Sequence, residues 1–259
     1  LSTSIEGFWV GIYFNRNSLA PVAMVSILSA SALLYLVYIK KNDALRIYKI
    51  CLLADIVVFG FVMVVRTRSN TPFGGLVAFI TVFLFWEILR KSPLRKFLRD
   101  VRHIRKIYSV FTALVIICSA LAIQLQSKVL QVFGETVDFN GRSEIWKYSW
   151  NGFREKPFFG WGWLSAWRSW AFMKMDLWWT VEGVIWSHNA YLDLFLGGGV
   201  IAVGFFVVAV VWGVYQLIPT QEGNAIESWS IAFIFFYLAM CTQESFIIGN
   251  HFLWLLFVA

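Results

Sequence analysis

Apolar runs of eighteen or more residues recur along this chain, and they constrain its fold more than any other feature. About 20 consecutive apolar residues carry a helix across a ~30 Å hydrocarbon core. Inside lipid every backbone N–H and C=O needs a protein partner, and a helix supplies its own. The expected class is therefore all-α, a polytopic transmembrane helical bundle. Composition agrees: 59% of residues are hydrophobic and 14% are charged, against roughly 25% charged in soluble domains. Cys51, Cys118 and Cys241 all fall inside apolar runs, with neither disulfide nor zinc spacing, and read as small core residues. Leu1 opens on a polar, aromatic segment without a signal-peptide pattern, and the apolar tail 253–259 stops mid-run. The expectation is a fragment of a longer chain, with further spans before it.

The apolar pattern predicts helices at about 19–39, 47–65, 71–89, 107–124, 189–217 and 226–242, with a truncated seventh after Gly249-Asn250. Pro21 is tolerated in the first turn of its helix, and Thr71-Pro72 is a start signal. Segment 90–106 holds eight Lys or Arg, with Leu94, Phe97, Leu98, Val101 and Ile104 at helical spacing. That pattern describes an amphipathic helix on an anionic leaflet, so membrane lipid is an expected partner. The 189–217 stretch is about 43 Å long as a helix, more than the hydrocarbon core needs. Gly197-Gly198-Gly199 is expected to break it near the outer interface. Three regions result: 1–124 with four spans, 125–188 as a large loop containing short helices, and 189–259 with the remaining spans. The 40–49 and 90–106 loops carry twelve Lys or Arg between them and are expected to be cytoplasmic. The long loop then lies outside, in periplasm or at the cell surface. The net charge of +7 implies no nucleic-acid partner, because lipid headgroups account for the densest basic stretch.

The long loop holds nine of the fourteen tryptophans, all within 146–186. An interfacial belt needs fewer, and aromatic faces also suit sugar rings, so Trp146 and Trp161 become candidate substrate contacts. Arg142 opens a predicted helix that ends before Pro157. A cation in a first helical turn opposes the macrodipole at a cost of a few tenths to ~1 kcal/mol, unless an anion shares the helix N-terminus. The alternative is an exposed arginine beside Glu144. Arg66 and Arg68 follow the second span, where they either suit the helix C-terminus and snorkel to headgroups or clamp a diphosphate. His188 stands where the loop meets the next span, with Ser187 as candidate N-cap. Its imidazole either caps locally or accepts a proton from a sugar hydroxyl. Asn17 either caps the first helix or touches substrate. Asp55 lies mid-span, where a carboxylate is costly; it either serves function or pairs with a cation in another span. His103 and His251 are placed away from His188, so no metal site is expected.

Four segments together resemble the O-antigen ligase and O-antigen polymerase family of membrane glycosyltransferases. They are Trp9 to Ala20 with Asn17, Arg66-Thr67-Arg68-Ser69, Gly141-Arg142-Ser143-Glu144-Ile145-Trp146 running into Pro157-Phe158-Phe159-Gly160-Trp161-Gly162, and Ser187-His188-Asn189-Ala190-Tyr191-Leu192-Asp193. The last two are the specific pair. Asn70, Thr71 and Pro72 depart from the family's small, apolar continuation, which leaves the choice between Arg66 and Arg68 open. The resemblance implies a GT-C-like membrane fold and a bacterial inner (plasma) membrane location, with the active site facing the periplasm or cell exterior. It implies a polyprenyl-diphosphate-linked glycan donor, typically undecaprenyl-linked, and a hydroxyl acceptor on lipid A core, another glycan or a protein. His188 would be the general base of an inverting transfer, and Arg142 with Arg68 or Arg66 would hold the departing diphosphate. Asn17, Asn189, Tyr191, Trp146 and Trp161 would contact substrate. No cofactor and no metal are implied. A different class, motivated by Asp55 and the broken helix, is a transporter or flippase of lipid-linked glycans.

Overall fold

A computed structural model describes residues 16–39, 44–69, 71–91, 142–163, 165–168, 186–217 and 225–247. Most of the amphipathic segment 90–106, the predicted span 107–124 and the truncated seventh helix lie outside them. Every regular element among the described residues is a helix: α1 Arg16–Ile39, α2 Arg46–Thr67, α3 Thr71–Lys91, α4 Arg142–Glu155, α5 Ser165–Arg168, α6 Ala190–Leu217 and α7 Ala225–Met240. Four of them are long and apolar enough to cross a membrane, namely α1, α2, α3 and α6, and α7 is a shorter apolar helix. The chain is thus a polytopic helical membrane protein. Predicted ends fall within three residues of those found. The largest shift is at α1, which starts at Arg16. Asn17 therefore stands inside the first turn and is not the N-cap.

Contacts divide the chain into two units, Leu1–Glu87 with Asn224–Phe236, and Ile88–Gly223 with Tyr237–Ala259. In the first unit α1 and α2 pack closely where Gly60 faces α1. A Cβ there would lie 2.7 Å from Ile27 Cγ1 and 3.3 Å from the Ala23 carbonyl oxygen. Lipid tails are as apolar as leucine, so close backbone approach at small residues is what joins membrane helices. Only Gly60, Val64 and Thr67 of α2 are buried, which leaves most of its surface to lipid. Asp55 lines a recess of about 380 Å³ between α1 and α2, shared with Ser26 and apolar side chains. The first part of α7 joins this unit through Trp229, whose indole donates to Leu28 O at 3.2 Å, and Ser228, which donates to Glu87 at 2.7 Å.

In the second unit α4, α5 and α6 meet in a cluster of Ile145, Ala166, Trp167 and Leu196, with Trp161 packed on it. Phe195 of α6 lies 4.9 Å from Phe153 and 6.3 Å from Trp150, centroid to centroid, so an aromatic face of α4 docks on α6. The expected break in α6 is at Gly199, with φ 62° and ψ −161°. A break frees backbone groups that cost several kcal/mol each if left bare in lipid. The turn Pro157–Gly162 answers them. Trp161 and Gly162 N–H donate to Leu196 and Gly197 O at 2.8 and 2.9 Å, and Val200 and Ile201 N–H donate to Pro157 and Phe158 O at 2.8 and 3.4 Å. Glycine is required on both sides. Gly160 and Gly199 have positive φ, and a Cβ on either would strike the opposing backbone.

Candidate functional site

The site is built where the loop enters α6. Asn189, fully buried, caps that helix: its Oδ1 accepts from the N–H groups of Tyr191 and Leu192, both at 3.1 Å. Ser187, expected in this role, instead donates its hydroxyl to Asn189 O at 2.6 Å and accepts from Asn189 N–H. Either residue type can cap; the helix begins at Ala190, which puts Asn189 in the N-cap position, and its remaining groups also find partners. Asn189 Nδ2 donates to Thr242 O at 3.0 Å, and Ala190 N–H donates to Cys241 O at 2.9 Å. The Tyr191 hydroxyl donates to Leu238 O at 2.7 Å. Asp193 completes the frame. Its carboxylate accepts from Ser187 N–H and Trp167 Nε1, both at 3.0 Å, and closely from Ser245 Oγ. The end of α7 and the start of α6 are therefore stitched into one rigid corner.

His188 sits in that corner with φ 53°. A left-handed non-glycine residue costs of order 1–3 kcal/mol and persists only where its surroundings over-determine it. Here Ser187 and Asn189 on either side are fully buried and hydrogen-bonded. The ring's Nδ1 lies 2.9 Å from Glu244 Oε2 and 3.2 Å from Trp186 Nε1. One nitrogen cannot donate to a carboxylate and accept from an indole at once. The carboxylate contact is shorter and charge-assisted, so it assigns the proton to Nδ1. In the neutral ring that tautomer leaves the lone pair on Nε2.

Arg142 reaches the same carboxylate from the first turn of α4. Its Nη2 donates to Glu244 Oε1 at 2.6 Å and its Nη1 to Gln243 O at 2.7 Å. Both Arg142 and Glu244 are largely buried, with side-chain exposures of 19% and 8%. The carboxylate that pairs with Arg142 is Glu244 rather than the exposed Glu144. Glu244 is itself awkwardly placed, just past the C-terminus of α7, where the macrodipole disfavours a carboxylate. Arg142 and His188 offset that cost. Two guanidinium N–H groups out of five make these bonds. Trp146 stands one turn further along α4 and donates its indole N–H to Ser187 O at 2.9 Å. Trp161 donates to Gly152 O at 2.8 Å, and Lys156 Nζ sits 3.9 Å over its ring.

Arg142, His188 and Trp146 are thus brought together in the second unit. Asn189, Tyr191 and Trp161 belong to the same unit, whereas Asn17, Arg66 and Arg68 lie in the first. Arg66 lies in the last turn of α2, and Arg68 is its C-cap with φ 47° and ψ 32°. The Ser69 hydroxyl lies 2.9 Å from Asn17 Oδ1 and donates to it, so the first two motif segments meet there. Among the described non-glycine residues, Arg68 and His188 are the two with positive φ. Glu244 went unrecognised in the sequence. The available signal was a carboxylate at the end of an apolar helix, where both lipid and dipole oppose it.

Comparison with known proteins gives a match to the O-antigen ligase family over residues 56–209, more than half of the chain. That segment contains Arg66, Arg68, Arg142 and His188; Glu244 lies beyond it. No curated protein and no solved structure matches.

Proposed function

Because this chain belongs to the O-antigen ligase family, we propose that it moves a glycan from a polyprenyl-diphosphate carrier to a hydroxyl acceptor, with His188 as base and Arg142 as diphosphate ligand. The observation that carries the reading is the single carboxylate of Glu244 bound to both residues. Nε2 of His188 takes the proton of the acceptor hydroxyl as its oxygen attacks the anomeric carbon. The bond from that carbon to the diphosphate oxygen breaks on the opposite face, inverting the centre, and the electron pair leaves on the diphosphate. Guanidinium N–H groups of Arg142 beyond those on Glu244 and Gln243 meet the developing charge in a partly dry site, where such bonds count for most. Glu244 holds the Nδ1–H tautomer, as an orienting carboxylate does in acyl-transfer triads. Arg68, or Arg66, contributes to diphosphate binding, and the reaction takes place on the periplasmic or cell-exterior side. Asn189 and Tyr191 serve by fixing the corner, and Trp146 and Trp161 flank the acceptor.

The test is glycan transfer from a purified lipid-linked donor. His188→Ala is expected to lower the rate about 10²–10⁴-fold, the range for loss of a general base, and Arg142→Ala about 10–100-fold, the worth of a charged hydrogen bond at ~1.5–3 kcal/mol. Near-wild-type transfer by both variants overturns the assignment. Movement of the donor across liposomes without transfer would favour the flippase alternative.

A further inference from the structure

Exposure along α6 changes character at Gly199. Before it, Ala190 to Leu194, Leu196 and Gly197 are buried. After it, Val200, Ile201, Phe205, Val208 and Trp212 are exposed. These exposed side chains are all apolar, as a lipid-facing surface requires. Residues 200–217 span about 27 Å as a helix, close to the ~30 Å hydrocarbon core by themselves. The residues before the break are surplus to the crossing, so Gly199 lies at one edge of the hydrocarbon layer.

The turn docked on the break carries the same boundary. Arg154, Glu155 and Lys156 are exposed. Two residues further on, Phe158 and Phe159 are 65% and 76% exposed. Backbone bonds from Val200 to Pro157 and from Ile201 to Phe158 set this turn against the lipid-facing start of the span. Trp163 is 53% exposed, and Lys156 lies over the Trp161 ring. Lysine and tryptophan of this kind concentrate at headgroup level. In water the freed groups of the break could bond solvent; here they bond the turn, as lipid demands.

We propose that the Pro157–Gly162 turn is embedded in the bilayer at the hydrocarbon edge. Phe158 and Phe159 lie among acyl chains, and Arg154, Glu155 and Lys156 lie among headgroups. The partner is the lipid bilayer itself, because the step from exposed charge to exposed phenyl rings continues the lipid face of α6. The turn thereby sets the height of the corner that holds Arg142, His188 and Glu244. That corner stands one short helix, about 14 Å, beyond the hydrocarbon edge.

The test uses the full chain with Cys51, Cys118 and Cys241 replaced by alanine, reconstituted in nanodiscs of phosphatidylcholine and phosphatidylglycerol. A nitroxide is attached in turn to Glu155→Cys, Phe158→Cys, Phe159→Cys and, as the lipid reference, Val208→Cys. Power-saturation EPR then compares collision with oxygen and with a water-soluble nickel chelate. Labels at 158 and 159 are expected to match 208, with nickel accessibility several-fold below that at 155. Nickel accessibility at 158 and 159 equal to that at 155 places the turn in water and overturns the proposal. Low accessibility to both reagents means cover by protein, such as a second copy, and overturns it as well. Neither readout depends on transfer activity, so the proposal stands or falls apart from the assigned chemistry.

Discussion

Arg68 and His188 share an unusual backbone conformation, yet the two units use it differently. Arg68 is an exposed helix C-cap whose N–H bonds Val65 O at 3.2 Å. A left-handed residue is a common way to end a helix, so its φ needs no functional cause. His188 precedes a helix and gains no such closure. Its conformation is imposed by buried neighbours that bond Asp193, Thr242 and Ser245, and its ring is fixed on Glu244. The same anomaly reads as punctuation in one unit and as preorganisation in the other. Thr67 and Ser69 beside Arg68 are buried and hydrogen-bonded as well; what separates the two residues is the helix end that Arg68 closes and the carboxylate that holds the His188 ring.

Substitutions can break this contrast, and stability in detergent is the common measure. Glu244→Ala is expected to cost the most, about 3–5 kcal/mol, because it strands the largely buried Arg142 and the fixed ring of His188. A loss under about 1 kcal/mol would mean that the corner does not depend on that carboxylate. Asn189→Ala is expected to cost about 1–2 kcal/mol through the lost cap, read as a fall in denaturation midpoint. Arg68→Gly is expected to fall within about 0.5 kcal/mol of wild type, since glycine adopts the left-handed cap without strain. If Arg68 binds diphosphate, transfer by that variant still falls, and Arg66→Ala compared beside it decides which arginine serves. A destabilisation by Arg68→Gly as large as that by Asn189→Ala would erase the distinction.

Much of the fold was legible because lipid writes it locally. Long apolar runs fixed the spans, Thr71-Pro72 marked the start of α3, and three consecutive glycines announced the break found at Gly199. The resemblance to the O-antigen ligase family singled out Arg142 and His188. The object that unites them was not legible. Glu244 lies 56 residues from His188 and 102 from Arg142, and its one local signal, a carboxylate at the end of an apolar helix, names neither partner. Ser187 and Asn189 were equally good caps by type, and the start of the helix at Ala190 decided between them. The docking of Pro157–Gly162 on the broken helix is likewise a long-range pairing of backbone, which side-chain patterns do not encode.

The central claim is that Arg142 and His188 act as one assembly through a shared carboxylate. A double-mutant cycle on the transfer rate tests it most directly, using Arg142→Ala, His188→Ala and the double variant. Residues that act as a unit give strongly non-additive losses. The double variant is therefore expected to lose only a few-fold more than the worse single variant. Losses that multiply in full would contradict the account.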